Sequence, residues 1–258
     1  MPTVSIITAV LDGADDHLNE THQSLTEQQM PPGWTWQWVV QEDGQTGRPL
    51  NKLPPDPRIS TGMAQRARAA TARTLALGRA TGELIRTLDA DDLLPPGALH
   101  RDITTLCDHP DTAWCVCAAL DLLPDGSLKP GPRDPQAGPL PPGYLANGER
   151  HGILAVIGTT LCTYTQLVRA LGGWQALPTN EDIALLLAAE AVANGWMIAT
   201  PGLYYRRWTG NTTQHIDKIH PTAPSPPRTV ILDRVNALQA TGWRWSPTHA
   251  WQTITARA

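Results

Sequence analysis

The chain has 258 residues, 41% hydrophobic and 17% charged, which is enough to bury a sizeable core in one large domain or two small ones and too apolar for a disordered chain. A formal net charge of −4 supplies no basic field to hold nucleic acid or an anionic membrane surface. The opening run MPTVSIITAV lacks a basic leader and a small-residue cleavage site, and no long apolar stretch follows, so neither a signal peptide nor a membrane span is expected and the protein is expected to be cytoplasmic.

Residues 4–8 form a short run rich in β-branched side chains and read as a buried strand. A polar turn over 12–16 leads into a predicted helix over 18–29, which Pro31, Pro32 and Gly33 stop. A second strand spans 36–40 and runs into Gln41, Glu42, Asp43 and Gly44. The loop over 45–57 follows, with Ile59 at the centre of a short third strand. Residues 62–79 read as a helix with a small-residue stripe, and Arg66 and Arg73, seven apart, share another of its faces. The strand over 84–88 ends in Asp89-Ala90-Asp91-Asp92, and Pro95 and Pro96 suit the first turn of the next helix. Strands alternating with helices over the first 105 residues predict a parallel sheet whose ligands sit beyond the carboxyl ends of the strands.

The second half is less regular. A strand is expected over 114–118, a Pro- and Gly-rich excursion over 124–148, a buried helix over 183–193, an edge strand over 203–205, a linker over 222–227 and a last helix over 229–240. There are 10 Trp and no Phe, so Trp and Leu must supply the bulk of the core. Cys107, Cys115, Cys117 and Cys162 are too sparse for a disulfide framework and lack zinc-site spacing, which makes them reduced structural thiols.

Three clusters carry chemistry. Asp89 and Asp91 point the same way if strand geometry persists, and close carboxylates repel unless they share a cation such as Mg²⁺ or Mn²⁺. The plainer alternative is an acidic turn capping the next helix. Glu181 and Asp182 precede an apolar helix, where carboxylates either answer the helix dipole or act as a general base partly desolvated by the apolar helix behind them. Arg66 and Arg73 either pair with Glu42 and Asp43 structurally or line a nucleotide pocket.

These segments in this order carry a resemblance: VSIITAVLDGA at 4–14, VVQEDGQTG at 39–47, ATARTLALGRATGELIRTLDADDLLPPGAL at 70–99, GGW at 172–174 and NEDIALLLAAE at 180–190. The chain resembles the family 2 glycosyltransferases of the GT-A fold over residues 3 to 210, the run through LDADD being the most specific part. The resemblance implies an α/β, Rossmann-like, mostly parallel sheet flanked by helices. A GT-A domain would span 1–215, its nucleotide-binding half over 1–105 and its acceptor-binding half over 106–215. The linker, C-terminal helix and Trp-rich tail would occupy 216–258. It further implies that Asp89 and Asp91 match the family's DxD motif, Asp89 toward the nucleotide ribose and Asp91 on a divalent metal, with Ala90 between them. Asp43, with Glu42, matches the acids near the nucleobase, and Thr8 and Ala9 match the turn after the first strand, where many members have Pro at the second position. Arg73 matches the arginine of the ARN segment, Thr74 standing for Asn, and Asp182 matches the catalytic base of inverting members. Tyr205-Arg206-Arg207-Trp208 resembles a YRxH segment, with Trp208 in the place of a metal-binding His. Arg206 and Arg207 would compensate with charge on the diphosphate, and His215 or His220 would serve if the loop folds back.

The expected activity is therefore inverting transfer by a metal-dependent hexosyltransferase. The sugar of a nucleotide diphosphate sugar, UDP-sugar by default, would pass to a hydroxyl of a small-molecule or glycan acceptor, with Trp174 and Glu181 on the acceptor side. A nucleotidyltransferase acting on sugar phosphates is the first alternative. It wants a basic glycine-rich loop after the first strand, and residues 9–15 contain neither Lys nor Arg. A non-catalytic nucleotide-sugar-binding module is the second. The tail residues Trp243, Trp245 and Trp251 pack either on their own chain or on a second copy in a homodimer.

Overall fold

Val4, Ile6, Ile7 and Val10 are all buried, so the first strand is covered on both faces and lies inside a sheet. The computed structural model describes residues 1–131, 135–207 and 228–247. In it β1 (Thr3–Val10) pairs in parallel with β2 (Thr35–Asp43) on one side and β4 (Leu84–Thr87) on the other, and β3 (Ile59–Ala64) extends the sheet beyond β2. The register sets Thr8 beside Val40, Ala9 beside Gln41 and Val10 beside Glu42. The carboxyl ends of β1 and β2 therefore finish in step, and the loops that carry Glu42–Asp43 and Asp89–Asp92 open on the same rim. The crossovers are α1 (Leu18–Thr26) and α2 (Arg68–Leu77).

After α3 (Ala98–Asp108) the sheet mixes directions. β5 (Thr112–Leu122) is followed by the short β6 (Leu128–Pro130) and β7 (Gly138–Leu140), then α4 (Tyr144–Arg150), β8 (Cys162–Tyr164) and α5 (Thr165–Ala170). α6 (Glu181–Val192), β9 (Asn194–Arg206) and α7 (Arg228–Ala240) complete the described chain. The strand order is β3-β2-β1-β4-β8-β5-β9-β7, with β6 on β5. β8 is antiparallel to both β4 and β5, while β5 and β9 are parallel.

The structure revises several predicted elements. Residues 62–64 belong to β3, and α2 starts only at Arg68, because β3 pairs residue for residue with β2 as far as Asp43 and Ala64. Arg66 is thus an exposed loop residue and shares no helix face with Arg73. The segment expected as an edge strand is the end of the 13-residue β9, with β5 on one side and a bridge from Tyr204 to Leu93. The excursion after β5 holds β6, β7 and the start of α4 rather than one loop. Trp208, His215, His220, Trp251 and the linker over 222–227 lie outside the described residues.

Trp does fill the core. Trp38 and Trp114 are fully buried, and each satisfies its indole N–H, Trp38 to Thr8 Oγ1 at 2.9 Å and Trp114 to the Ala193 carbonyl at 3.2 Å. Gly195 lies under the Trp114 ring where any Cβ would collide with it. Trp245 packs on its own chain: its N–H reaches the Val192 carbonyl at 2.8 Å and its ring lies 5.4 Å from that of Tyr164. The four cysteines are free. Among the described residues no helix is long and apolar enough to cross a membrane.

Candidate active site

Arg73 is the centre of the site. It lies on α2, is 4% exposed, and its two terminal nitrogens donate to Asp89 Oδ1 on the loop after β4 and to Glu181 Oε1 at the start of α6. One guanidinium thus gathers carboxylates from sequence positions far apart. Burial works against its charge, but Asp89, Glu181 and Asp182 hold its pKa above the ordinary value.

The loop after β4 is fastened from two sides. Thr21 of α1 donates through its hydroxyl to the carbonyls of Ala90 at 3.0 Å and Asp92 at 3.1 Å. Arg206, at the end of β9, donates its Nε to the Asp91 carbonyl at 2.7 Å and its backbone N–H to Asp92 Oδ1 at 2.9 Å, and its guanidinium also reaches Glu20 Oε2 at 2.7 Å. Arg206 therefore ties the carboxylate loop to α1 and β9, a role that sequence reasoning missed along with Glu20. Arg207 pairs with Asp121 at 2.9 Å and stacks on Tyr205. Asp92 is buried, and burial together with Asp89 and Asp91 pushes its carboxyl well above the usual range.

Asp182 follows Asn180, which adopts a left-handed backbone conformation (φ 63°) that turns the chain into α6. Asp182 is half-buried. Burial, then repulsion from Glu181, raises its pKa to about 6, against the pull of Arg73 and the Ile183 N–H. A carboxylate with that affinity for protons suits a general base near neutral pH.

At the other end of the rim, Glu42 is fully buried and accepts from Thr46 N–H and hydroxyl and from Gly47 N–H, each at 2.8 Å, so it shapes the loop after β2. Asp43 Oδ1 accepts the N–H groups of Ala67 at 2.6 Å and Arg68 at 2.9 Å, which holds the start of α2. Thr8 donates to the Leu88 carbonyl at 2.8 Å and joins β1 to the strand that carries Asp89. Ala9 lies half-buried between β2 and the rim. The ion pairs of Arg48 with Asp12 and of Lys52 with Asp15 clasp the loop after β2 onto the loop after β1.

Trp174, expected on the acceptor side, is a member of the buried core cluster. It is 4% exposed, and its backbone N–H donates to Thr74 Oγ1 at 3.0 Å. Among the described residues its buried indole Nε1 has no hydrogen-bond partner, an unsatisfied donor of the kind that ligands or ordered water complete.

A parallel half-sheet with an acidic rim, continued by a mixed half and with a second carboxylate pair delivered by a later helix, defines a GT-A type fold. Comparison with known proteins gives the same class: the chain is similar to S. aureus TarS 1-349 in complex with UDP (TM-score 0.65, 17% identity, covering 96% of this chain and 68% of that one). It is similar to TarS 1-349 in complex with UDP-GlcNAc (TM-score 0.65, 15% identity, 96% and 74%) and to a longer TarS structure (TM-score 0.62, 16% identity, 93% and 43%). The model of glycosyl transferase family 2 matches residues 5–144, more than half of the chain, and the protein belongs to that family. No curated protein matches it.

Proposed function

We propose that the protein is an inverting, metal-dependent hexosyltransferase that moves a sugar from a nucleotide diphosphate sugar, a UDP-sugar first of all, to a hydroxyl of a small-molecule or glycan acceptor. The observation that carries this reading is the Arg73 bridge, which sets Asp89 and the Glu181–Asp182 pair on the two ends of one guanidinium. The UDP and UDP-GlcNAc in the TarS structures support the choice of donor.

Asp182 takes the proton from the acceptor hydroxyl as its oxygen attacks the anomeric carbon on the face opposite the diphosphate. Inversion follows in one displacement, and no covalent intermediate on the protein is needed. Asp89 meets the donor ribose, Thr8, Ala9, Glu42 and Asp43 frame the base, and Glu181 with the unsatisfied Trp174 Nε1 faces the acceptor. Arg66, in the exposed loop before α2, stands on the base side.

Charge argues for a cation. Asp89, Asp91, Glu181 and Asp182 gather here against Arg73 and Arg206, and Arg73 is already engaged by two of them. A diphosphate would meet net negative charge. Among the described residues no group of three or more His, Cys, Asp or Glu is placed to hold a metal. Mg²⁺ bound with a substrate diphosphate needs only one or two protein carboxylates, phosphate and water completing its shell, and Asp91 and Asp89 would supply them to Mg²⁺ or Mn²⁺. Such an ion supplies compensation for charge developing on the leaving diphosphate.

The test is release of UDP from UDP-glucose and UDP-GlcNAc, with Mn²⁺ and after EDTA. Release with the metal and loss without it is expected. Asp182→Asn should lower turnover by about 10²–10⁴-fold while UDP binding, read by calorimetry, stays intact. Pyrophosphate release from UTP and a sugar phosphate, with no UDP-sugar turnover, would replace this reading with a nucleotidyltransferase.

A further inference from the structure

We infer that Gly158 and Arg86 are positioning residues that fix the Asp182 carboxylate and the Asp89 loop relative to each other, an inference that rests on the proposed role of Asp182 as base. Gly158 opens a single 3₁₀ turn, Gly158–Thr160, immediately before β8. The Asp182 side chain lies against its backbone: a Cβ at position 158 would overlap Asp182 Oδ2 and stand 2.8 Å from its Cγ and 3.0 Å from the Ile183 nitrogen. Gly158 has no left-handed φ, so its backbone suits any residue. What excludes a side chain there is the space the carboxylate occupies. The bare Gly158 backbone against which the carboxylate lies leaves it little freedom to turn.

The turn is held in place from beneath. Arg86 on β4 is fully buried. Its Nη1 donates to the Thr159 carbonyl at 2.6 Å and the Thr87 carbonyl at 3.2 Å, its Nη2 donates to the Gly202 carbonyl at 3.1 Å, and its Nε pairs with Asp102 Oδ2 at 3.0 Å. Thr159 follows the residue that backs Asp182, and Thr87 ends the strand that delivers Asp89. A single planar fork therefore grips the turn behind the base, the end of β4 and a carbonyl of β9. Asp102 of α3 keeps the buried charge paired. A lysine has the charge but not the fork, and it cannot bridge these carbonyls together.

Gly158→Ala forces the Asp182 carboxylate aside and crowds the Ile183 nitrogen. A displacement near 1 Å at a reacting group costs on the order of 10²-fold in rate. The experiment measures UDP release from the UDP-sugar that supports the highest rate, with UDP affinity by calorimetry, for Gly158→Ala, Asp182→Asn and the double variant. Expected are a fall of about 10²-fold in kcat for Gly158→Ala, unchanged KM for the donor, unchanged UDP affinity, and no further loss when Gly158→Ala is added to Asp182→Asn. Arg86→Lys should likewise lower kcat more than it changes donor KM.

Wild-type kcat in Gly158→Ala overturns the inference. So does a loss in the double variant equal to the product of the two single losses, since Gly158 would then act independently of Asp182. Full turnover in Asp182→Asn overturns the base assignment itself, and that single variant distinguishes the two failures. If Arg86→Lys does not fold, the Gly158 cycle still decides.

Discussion

Asp182 sits between opposing influences, and their balance sets its working range. Burial and Glu181 push its pKa up to about 6, while Arg73 and the Ile183 N–H draw it down. A general base works only when deprotonated. Activity should therefore rise with pH through about 6, half-maximal there and lost progressively below, because each lower unit leaves a tenfold smaller deprotonated fraction. A pH profile of kcat without an acid limb near that value would remove Asp182 as the base. At this scale the sequence revealed the charged residues and not their partners. Asp89, Asp91, Glu181 and Asp182 stand out as carboxylates in recognisable runs. Gly158, Glu20 and Arg86 do not, since a glycine before two threonines, an acid on a surface helix and an arginine in a strand carry no local signal. Their importance comes only from what the fold sets against them. Trp174 differs: its type suits a sugar platform and a core position alike, and its burial selects the core.

At the level of elements, the strands that the sequence makes most legible are the buried ones. β1 and β2 carry runs of Val, Ile and Trp that only a covered position explains. β3 is an edge strand with Met63 exposed and little apolar alternation, so its Ser, Thr, Gly and Ala blend into the small-residue stripe of the helix that follows. The true start of α2 is marked by a distant residue instead. Asp43 accepts the N–H groups of Ala67 and Arg68, and an anion at that helix end also answers its dipole. Asp43→Ala should cost about 1 kcal/mol, in line with the loss of a helix-end acceptor, and lower the melting temperature by about 2–4 °C. If Asp43 also frames the base, UDP affinity falls in the same variant, whereas an unchanged melting temperature with weakened UDP binding would show that the helix does not depend on this carboxylate.

On the scale of the whole molecule, the proposed base Asp182 and the carboxylate loop belong to different layers that must not drift apart. The sheet carries the Asp89 loop through β4, while Asp182 rides on α6, which is mostly apolar and buried from Ala184 to Val192. α7 packs against α6 and α4. Glu190 of α6 accepts the first N–H groups of α4, at 2.7 Å from Leu145 and 2.8 Å from Ala146, and Arg234 of α7 donates to the Leu171 carbonyl at 2.6 Å. Ile231 and Val235, one turn apart on α7, are both 1% exposed and form the seam of this helical layer. If α7 is part of the same cooperative unit, Ile231→Ala removes buried methyl groups and leaves a cavity, a loss of about 2–5 kcal/mol. It should then move the single urea transition of the entire protein to lower concentration with its slope preserved. An early, separate transition carrying only the helical signal of α7, with the main midpoint fixed, would show that the C-terminal helix is an appendage and that α6 owes its position to the sheet alone.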